Sequence, residues 1–165
     1  MSLVSAEMAA AVGSVTDWRV SFPVAVSDIR RWAIAVYYPD PPPERFREET
    51  APGGLLAPEE FNPFAWAVAS RREPLVPPGP RDTDWTEKAL GIAGPGLRHQ
   101  VNGGIEVAYG APIRSGDVIR SETRLVSYAE KAGRMGPMLV SVTESVWTNQ
   151  DGERVRVERQ TAIRY

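Results

Sequence analysis

The sequence predicts an α+β fold in which an antiparallel sheet, formed by the last third of the chain, is covered by apolar segments from the first half. Three observations favour this class: a series of β-rich runs, one short helix with an apolar face, and a proline-rich segment that contains several aromatic residues. The β-rich runs are residues 104–109, 118–129, 138–148 and 154–165.

The third run shows the clearest strand pattern. Leu139, Ser141, Thr143, Ser145 and Trp147 alternate with a second set that is mostly valine, and this period of two is typical of a pleated strand. Turn-forming sequences at 115–117 and 149–152 indicate short connections between neighbouring runs. We therefore expect an antiparallel meander, whose inner face requires an apolar cover.

Composition restricts the class of protein. The 165 residues suffice for one domain, and the net charge of −2, from 19 basic and 21 acidic residues, gives no indication of a nucleic-acid partner. The absence of cysteine excludes disulfides, thiol nucleophiles and thiolate metal sites, and a single histidine, His99, excludes a histidine-rich metal site within one chain. Since we find no membrane-spanning run and no export signal, we expect a soluble, most simply cytoplasmic protein that does not bind a membrane.

The first part of the chain supplies a strand and a helix. Residues 1–16 are rich in Ala, Ser and Val and predict a flexible N-terminal arm, and the alternation in 19–26 predicts a strand. Ser27 is the expected N-cap of a helix whose apolar face repeats at the spacing of helical turns. Pro39 and the prolines at 41–43 end this helix.

Residues 39–80 hold 11 of the 15 prolines but also four aromatic side chains, which is unusual for a solvated linker. Within this segment, Pro58 and the glutamates that follow it predict the start of a helix over 59–70, which is our candidate for the helix that covers the sheet. Residues 71–96 form a long polar connection, for which Trp85 and Leu90 are the expected anchors. A connection of this length usually serves or covers a site.

Several short motifs resemble those of MaoC-like hydratases and dehydratases. The run DIRRWAIA at 28–35 is similar to the first helix of that family, GGLLAP at 53–58 to the entrance of its central helix, and APIRSGD at 111–117 to its R-P-(I/V)-x-x-G-D turn. The segments at 130–137 and 148–152 are similar to the branch with N-terminal-type dehydratase domains. The likeness spans about residues 17–165, and it implies a single hot-dog domain in which an antiparallel sheet wraps a central helix and pairs with a second hot dog.

The family's catalytic pair is absent from the expected loop. The resemblance implies an Asp-x4-His dyad after the first helix, which hydrates a trans-2-enoyl thioester reversibly. In one alignment Tyr38 stands at the aspartate position and Pro43 at the histidine position. In the other, Asp40 stands at the aspartate position and Arg45 at the histidine position. Neither alignment supplies the histidine that proton transfer near neutral pH normally requires.

Candidate site residues remain, each with an ordinary alternative. His99 can replace the missing base or can be a simple loop residue. Asp40 and Glu44 are either catalytic carboxylates or solvated acids.

Two further pairs are candidates for substrate binding. Gly53 and Gly54, before the predicted helix, can offer backbone N–H groups to a thioester carbonyl or can form a plain turn. Lys131 and Arg134 can contact the phosphates of coenzyme A or can belong to a solvated turn.

The resemblance implies an acyl-CoA-binding subunit of a two-component enoyl-CoA hydratase or 3-hydroxyacyl-CoA dehydratase, which forms a heterodimer with a MaoC-like subunit that carries the dyad. One alternative is a non-catalytic module that binds an acyl thioester. Another is a thioesterase-like homodimer that uses Asp40 or Glu44. No metal or cofactor is expected in any of these cases, since the coenzyme A thioester is the substrate.

Overall fold

A computed structural model describes residues 2–49, 52–79, 82–134 and 136–165 of the chain. The helices are α1 (Ala6–Ala10), α2 (Val26–Tyr37) and α3 (Trp85–Ala89), with a short 3-10 helix at Glu44–Phe46. The strands are β1 (Val15–Val20), β2 (Ser70–Arg71), β3 (Gln100–Tyr109), β4 (Arg120–Gly133), β5 (Gly136–Thr148) and β6 (Arg154–Arg164).

The six strands form one antiparallel sheet in the order β2-β1-β4-β5-β6-β3. The four β-rich runs of the sequence are therefore confirmed as β3 to β6, and β4, β5 and β6 form the predicted meander. The expectation that β3 joins this meander beside β4 is wrong, because β3 pairs along its length with β6. The sequence at 115–117 is thus a turn between strands that do not pair.

The apolar cover lies over one end of the inner face. It joins α2 and the chain at 55–68 to the inner-face residue Trp147 of β5. Phe64 meets Trp147 edge to face at 5.1 Å, and Trp32 of α2 meets Phe61 in the same manner at 5.7 Å. The buried members of this cluster are Val24, Ile29, Leu55, Ala57, Phe61, Phe64, Ile113, Ile119, Trp147 and Val155.

The helix α2 forms as predicted, but it begins earlier. Its N-cap is Ala25, which has extended backbone and makes no side-chain cap bond, so the predicted N-cap at Ser27 is wrong. Ile29 and Ala33 are buried as expected, whereas Val36 is 49% exposed. The predicted strand over 19–26 is displaced toward the N-terminus, since pairing with β4 ends at Val20.

The predicted covering helix over 59–70 is wrong. This segment consists of separate turns, in which Phe61 N donates to Pro58 O at 2.9 Å and Phe64 N donates to the Asn62 side chain at 3.0 Å. The Asn62 side chain takes the place of a backbone carbonyl, and such local bonds compete with helix formation. Phe64 nevertheless packs into the core, 8% exposed.

The first residues contain α1, which has Ser5 as its N-cap and Met8 as a buried side chain. The predicted boundary between arm and domain, after residue 16, falls within β1. The flexibility of this arm stays a prediction.

Candidate functional site

A cavity of about 470 Å³ lies on the inner face of the sheet, beyond the apolar cover, and we name it the inner cavity. Its floor consists of residues from β1, β4, β5 and β6 with Gln100 at the start of β3, and its wall is α3 with the residues that precede it. The lining includes Asp17, Thr123, Thr143, Glu158, Gln160 and Trp85. In place of the predicted central helix, the middle of the sheet is thus left open above polar side chains.

A buried ion cluster closes one end of the inner cavity. Arg164, at the end of β6, donates from both Nη atoms to the two carboxylate oxygens of Glu87 on α3, each at 2.8 Å. It also donates to Asp84 Oδ1 at 3.2 Å and to the Thr83 carbonyl at 2.9 Å. The Tyr128 hydroxyl of β4 bonds the same Glu87 carboxylate. These bonds fix α3 over the sheet.

The ionisation states follow from this geometry. Burial works against the charge on Glu87, but the hydrogen bonds from Arg164 and Tyr128 outweigh it and lower the pKa of Glu87. Burial raises the pKa of Asp84, and the nearby Glu87 charge adds to that effect. Burial and the bond to Glu87 raise the pKa of Tyr128 as well. Tyr128 and Glu87 are each held in one protonation state near neutral pH, which suits a structural cluster better than proton transfer.

Arginines occupy the other end of the inner face. Arg156 pairs with Glu158 at 2.5 Å and lies over the Trp147 ring at 4.8 Å. Arg19 of β1 lies over the Phe64 ring at 4.7 Å and lines both the inner cavity and a neighbouring cavity of about 500 Å³. The two cavities also share Trp85, whose side chain is 44% exposed rather than the buried anchor that we expected.

His99 lies outside the inner cavity, immediately before β3. It is exposed, its backbone exchanges bonds of 3.1 and 3.0 Å with Tyr165, and its ring stacks on the Tyr165 ring at 5.3 Å. Lys131 and Arg134 are exposed at the turn between β4 and β5, at the same end of the sheet. Three strand spacings separate β3 from β4, so the backbones of these two strands lie roughly 14 Å apart across the sheet.

Gly53 and Gly54 lie at the opposite end of the sheet, beside the connection into β4. Gly54 has φ +93° and packs against Ser115, and its carbonyl accepts from Arg114 Nη1 at 3.2 Å. The helix expected after these glycines is absent, so the proposed positive helix end does not exist there.

The predicted carboxylates and the glycines do not reach the inner cavity either. Asp40 and Glu44 are exposed in the segment after α2. None of the predicted site residues lines the inner cavity, and their roles stay predictions. Sequence reasoning missed the cavity residues, although the hydroxyl side chains that share one parity of β5 were a signal for a polar inner face.

Within the part of the chain that the structure describes, no three His, Asp or Glu side chains are grouped closely enough to hold a metal ion. Among the same residues, no helix has the length and apolar character needed to cross a membrane.

Solved structures share this fold. A MaoC-like dehydratase from Rhodospirillum rubrum is 20% identical, with a TM-score of 0.53, over 94% of this chain and 92% of that chain. The HadBC complex of Mycobacterium tuberculosis, a 3R-hydroxyacyl-ACP dehydratase, is 19% identical, with a TM-score of 0.55, over 93% of this chain and 96% of that chain. The ChsH1-ChsH2 complex of the same organism is 19% identical, with a TM-score of 0.59, over 92% of this chain and 84% of that chain. The chain therefore has the hot-dog fold of these proteins, two of which are heteromeric complexes.

A family model agrees with the structural likeness. No curated protein matches the chain. The family described as FAS1-like, dehydratase domain region, matches residues 10–158, which include almost the whole sheet. The resemblance to MaoC-like proteins is thereby confirmed. The chain belongs to the FAS1-like dehydratase domain family, within the MaoC-like hot-dog proteins.

Proposed function

We propose that this chain is the acyl-CoA-binding subunit of a two-component enoyl-CoA hydratase or 3-hydroxyacyl-CoA dehydratase. The observation that carries the proposal is the inner cavity, whose volume of about 470 Å³ is in the range of small-molecule sites. His99, the only imidazole of the chain, is not among its lining residues. This chain therefore binds and orients the acyl group, and a partner performs the proton transfers.

Hydration of an enoyl thioester requires a base for the attacking water and an acid that protonates the α-carbon. At the positions of the family's dyad this chain has Tyr38 and Pro43 in one alignment and Asp40 and Arg45 in the other, so neither alignment supplies the histidine. Of the carboxylates that line the cavity, Glu158 is already paired with Arg156, and Asp17 lacks the imidazole that would complete a dyad, since His99 lies elsewhere. A MaoC-like partner with an intact Asp-x4-His dyad supplies both groups in this proposal.

The edge strand β3 offers a surface for that partner. All ten of its residues are exposed, and they include the apolar side chains Val101, Ile105, Val107 and Tyr109. An exposed apolar edge strand pairs readily with another chain. The HadBC and ChsH1-ChsH2 complexes support assembly with a second MaoC-like subunit.

Co-expression with MaoC-like proteins that carry the dyad tests the proposal. We expect the isolated chain to show little or no hydration of crotonyl-CoA or longer enoyl-CoA, and the assembled pair to be active. His99→Ala should leave the pair mostly active, because the proposal gives His99 no part in the chemistry. Size-exclusion chromatography with light scattering should show that the protein forms a dimer in solution, with a mass well above the 18.1 kDa of one chain.

Two results would contradict the proposal. The first is turnover of crotonyl-CoA by the pure chain together with a loss of kcat of about 10²–10⁴-fold in His99→Ala, which is the usual effect of removing an acid–base group. The second is hydrolysis of acyl-CoA by the pure chain that is abolished in Asp40→Asn or Glu44→Gln. That result would favour the thioesterase-like homodimer.

A further inference from the structure

The middle of the inner face is polar, in contrast to the usual apolar inner face of a sheet. Asp17 of β1 pairs with Thr123, Thr123 with Ser145, and Ser145 with Glu158, so that one row of polar residues crosses four strands. In the next row, Thr143 pairs with Gln160. Directly paired residues share one face of a sheet, and all six line the inner cavity.

Only some of these groups find partners within the chain. The Thr123 and Ser145 hydroxyls bond each other at 2.7 Å, and Glu158 is paired with Arg156. By contrast, among residues 2–49, 52–79, 82–134 and 136–165, no side chain or backbone group bonds the side chains of Asp17, Thr143 or Gln160. These three side chains leave donors and acceptors directed at whatever fills the cavity.

A plain alkyl chain is a poor ligand for such a surface. It would remove water from a carboxylate, a hydroxyl and an amide without replacing the hydrogen bonds that they lose. A hydroxyl group on the ligand can donate to Asp17 and can both donate to and accept from Thr143 and Gln160. Trp85, on the opposite wall, offers an aromatic surface for the carbon skeleton.

We propose that the acyl group held in the inner cavity carries hydroxyl groups along the chain, away from the thioester, and that Asp17, Thr143 and Gln160 select them. This inference rests on the proposed function, since it specifies the acyl group of the same site. The inference predicts that the chain binds a hydroxylated acyl group more tightly than a saturated fatty acyl group of equal length.

Calorimetric titration of the purified chain with octanoyl-CoA and with ω-hydroxyoctanoyl-CoA tests the inference. Both ligands carry the same coenzyme A, so that the ratio of their dissociation constants reports on the acyl group alone. We expect ω-hydroxyoctanoyl-CoA to bind about three- to tenfold more tightly, the effect of one neutral hydrogen bond. Thr143→Val and Gln160→Leu should each reduce this ratio, because each removes one of the three polar partners of the ligand hydroxyl, and each should strengthen the binding of octanoyl-CoA.

Thr161→Val is the matched control, because Thr161 pairs with Val142 on the outer face of the sheet and should leave the ratio unchanged. If the wild-type chain binds octanoyl-CoA as tightly as the hydroxylated ligand, or more tightly, the inference is overturned while the proposed acyl-CoA-binding function stands. If neither thioester binds, the proposed function itself fails, and the inference fails with it.

Discussion

Arg164 and Glu87 form a bidentate ion pair with both N–O distances at 2.8 Å, although each side chain is 1% exposed or less. The pair joins the end of β6 to α3, and Asp84 and Tyr128 each add a hydrogen bond to it. Removing one member of a buried pair is costly, because the remaining charge is left in a poorly polarisable environment. This contact therefore holds the wall of the inner cavity in place.

Glu87→Gln should lower the free energy of unfolding by about 3–5 kcal/mol at neutral pH, as expected for a broken buried ion pair. Urea denaturation followed by tryptophan fluorescence measures this change. Glu144→Gln is the matched control, since Glu144 makes an exposed pair with Arg159 at 2.9 Å and such pairs contribute little. Equal effects of the two substitutions would show that the buried cluster has no special role.

The contribution of Glu87 should also depend on pH in one direction. Its pKa in the folded protein lies below the ordinary value of 4.5, so its stabilisation is complete above that value and is lost as the pH falls through the folded pKa. The stability difference between the wild type and Glu87→Gln should thus be constant near neutral pH and should shrink in acid. A difference that grows as the pH falls would contradict the assignment. Asp84 should show the opposite pH dependence, because burial raises its pKa and its contribution to stability is lost as the pH rises through that pKa. Asp84→Asn should therefore lower the free energy of unfolding less than Glu87→Gln does at pH 7.

Phe64→Ala should lower the free energy of unfolding by about 3–5 kcal/mol, the usual range for truncating a buried aromatic side chain. Phe64 packs between the Trp147 ring and the Arg19 guanidinium. The same substitution at Phe22, which is 55% exposed, should change stability by no more than about 0.5 kcal/mol. A near-neutral result for Phe64→Ala would show that the turns at 59–70 do not cover the sheet.

Gly54→Ala should be more destabilising than Gly13→Ala, although both glycines have φ near +90°. A methyl group at Gly54 would lie 2.8 Å from the Ser115 carbonyl oxygen, whereas at Gly13 it would meet no atom within 4 Å. Both variants incur the strain of positive φ, about 1–2 kcal/mol, and the steric clash should add at least about 1 kcal/mol at Gly54. Thermal unfolding of the two variants measures the difference, and equal midpoints would exclude the close packing of Gly54 on Ser115.

The strands were predictable because their signal is local. The alternation around Thr143 and the turn at 149–152 identify β5, β6 and their hairpin without any knowledge of the rest of the chain. The partner of β3 was not predictable in this way, because pairing between distant segments leaves no mark on the local pattern. The turns at 59–70 were missed for a different reason: the spacing of Phe61 and Phe64 fits a helix as well as it fits two successive turns.

The inner cavity could not be predicted from the sequence, because the residues of its floor are polar. In β5, the parity that contains Val140 and Val142 has the more apolar composition, yet the buried positions Leu139, Ser141 and Trp147 belong to the other parity. A sequence pattern assigns the apolar parity to the core, whereas here the core-side parity is polar in the middle of the strand. The candidate site therefore required the three-dimensional arrangement, in which the apolar cover stops short of those hydroxyl groups.

The pairing of β3 with β6 also determines when the β3 edge of the sheet can form during protein synthesis. When β3 leaves the ribosome, the strand β6 with which it pairs has not yet been made, and β4 and β5 must be synthesised first. Contacts between segments so distant in sequence form slowly, because a long loop must close first. The edge that we propose for the partner subunit consequently comes into existence last. Assembly of the proposed pair then depends on the completion of β6, so a partner that reaches a nascent chain early finds no edge to bind.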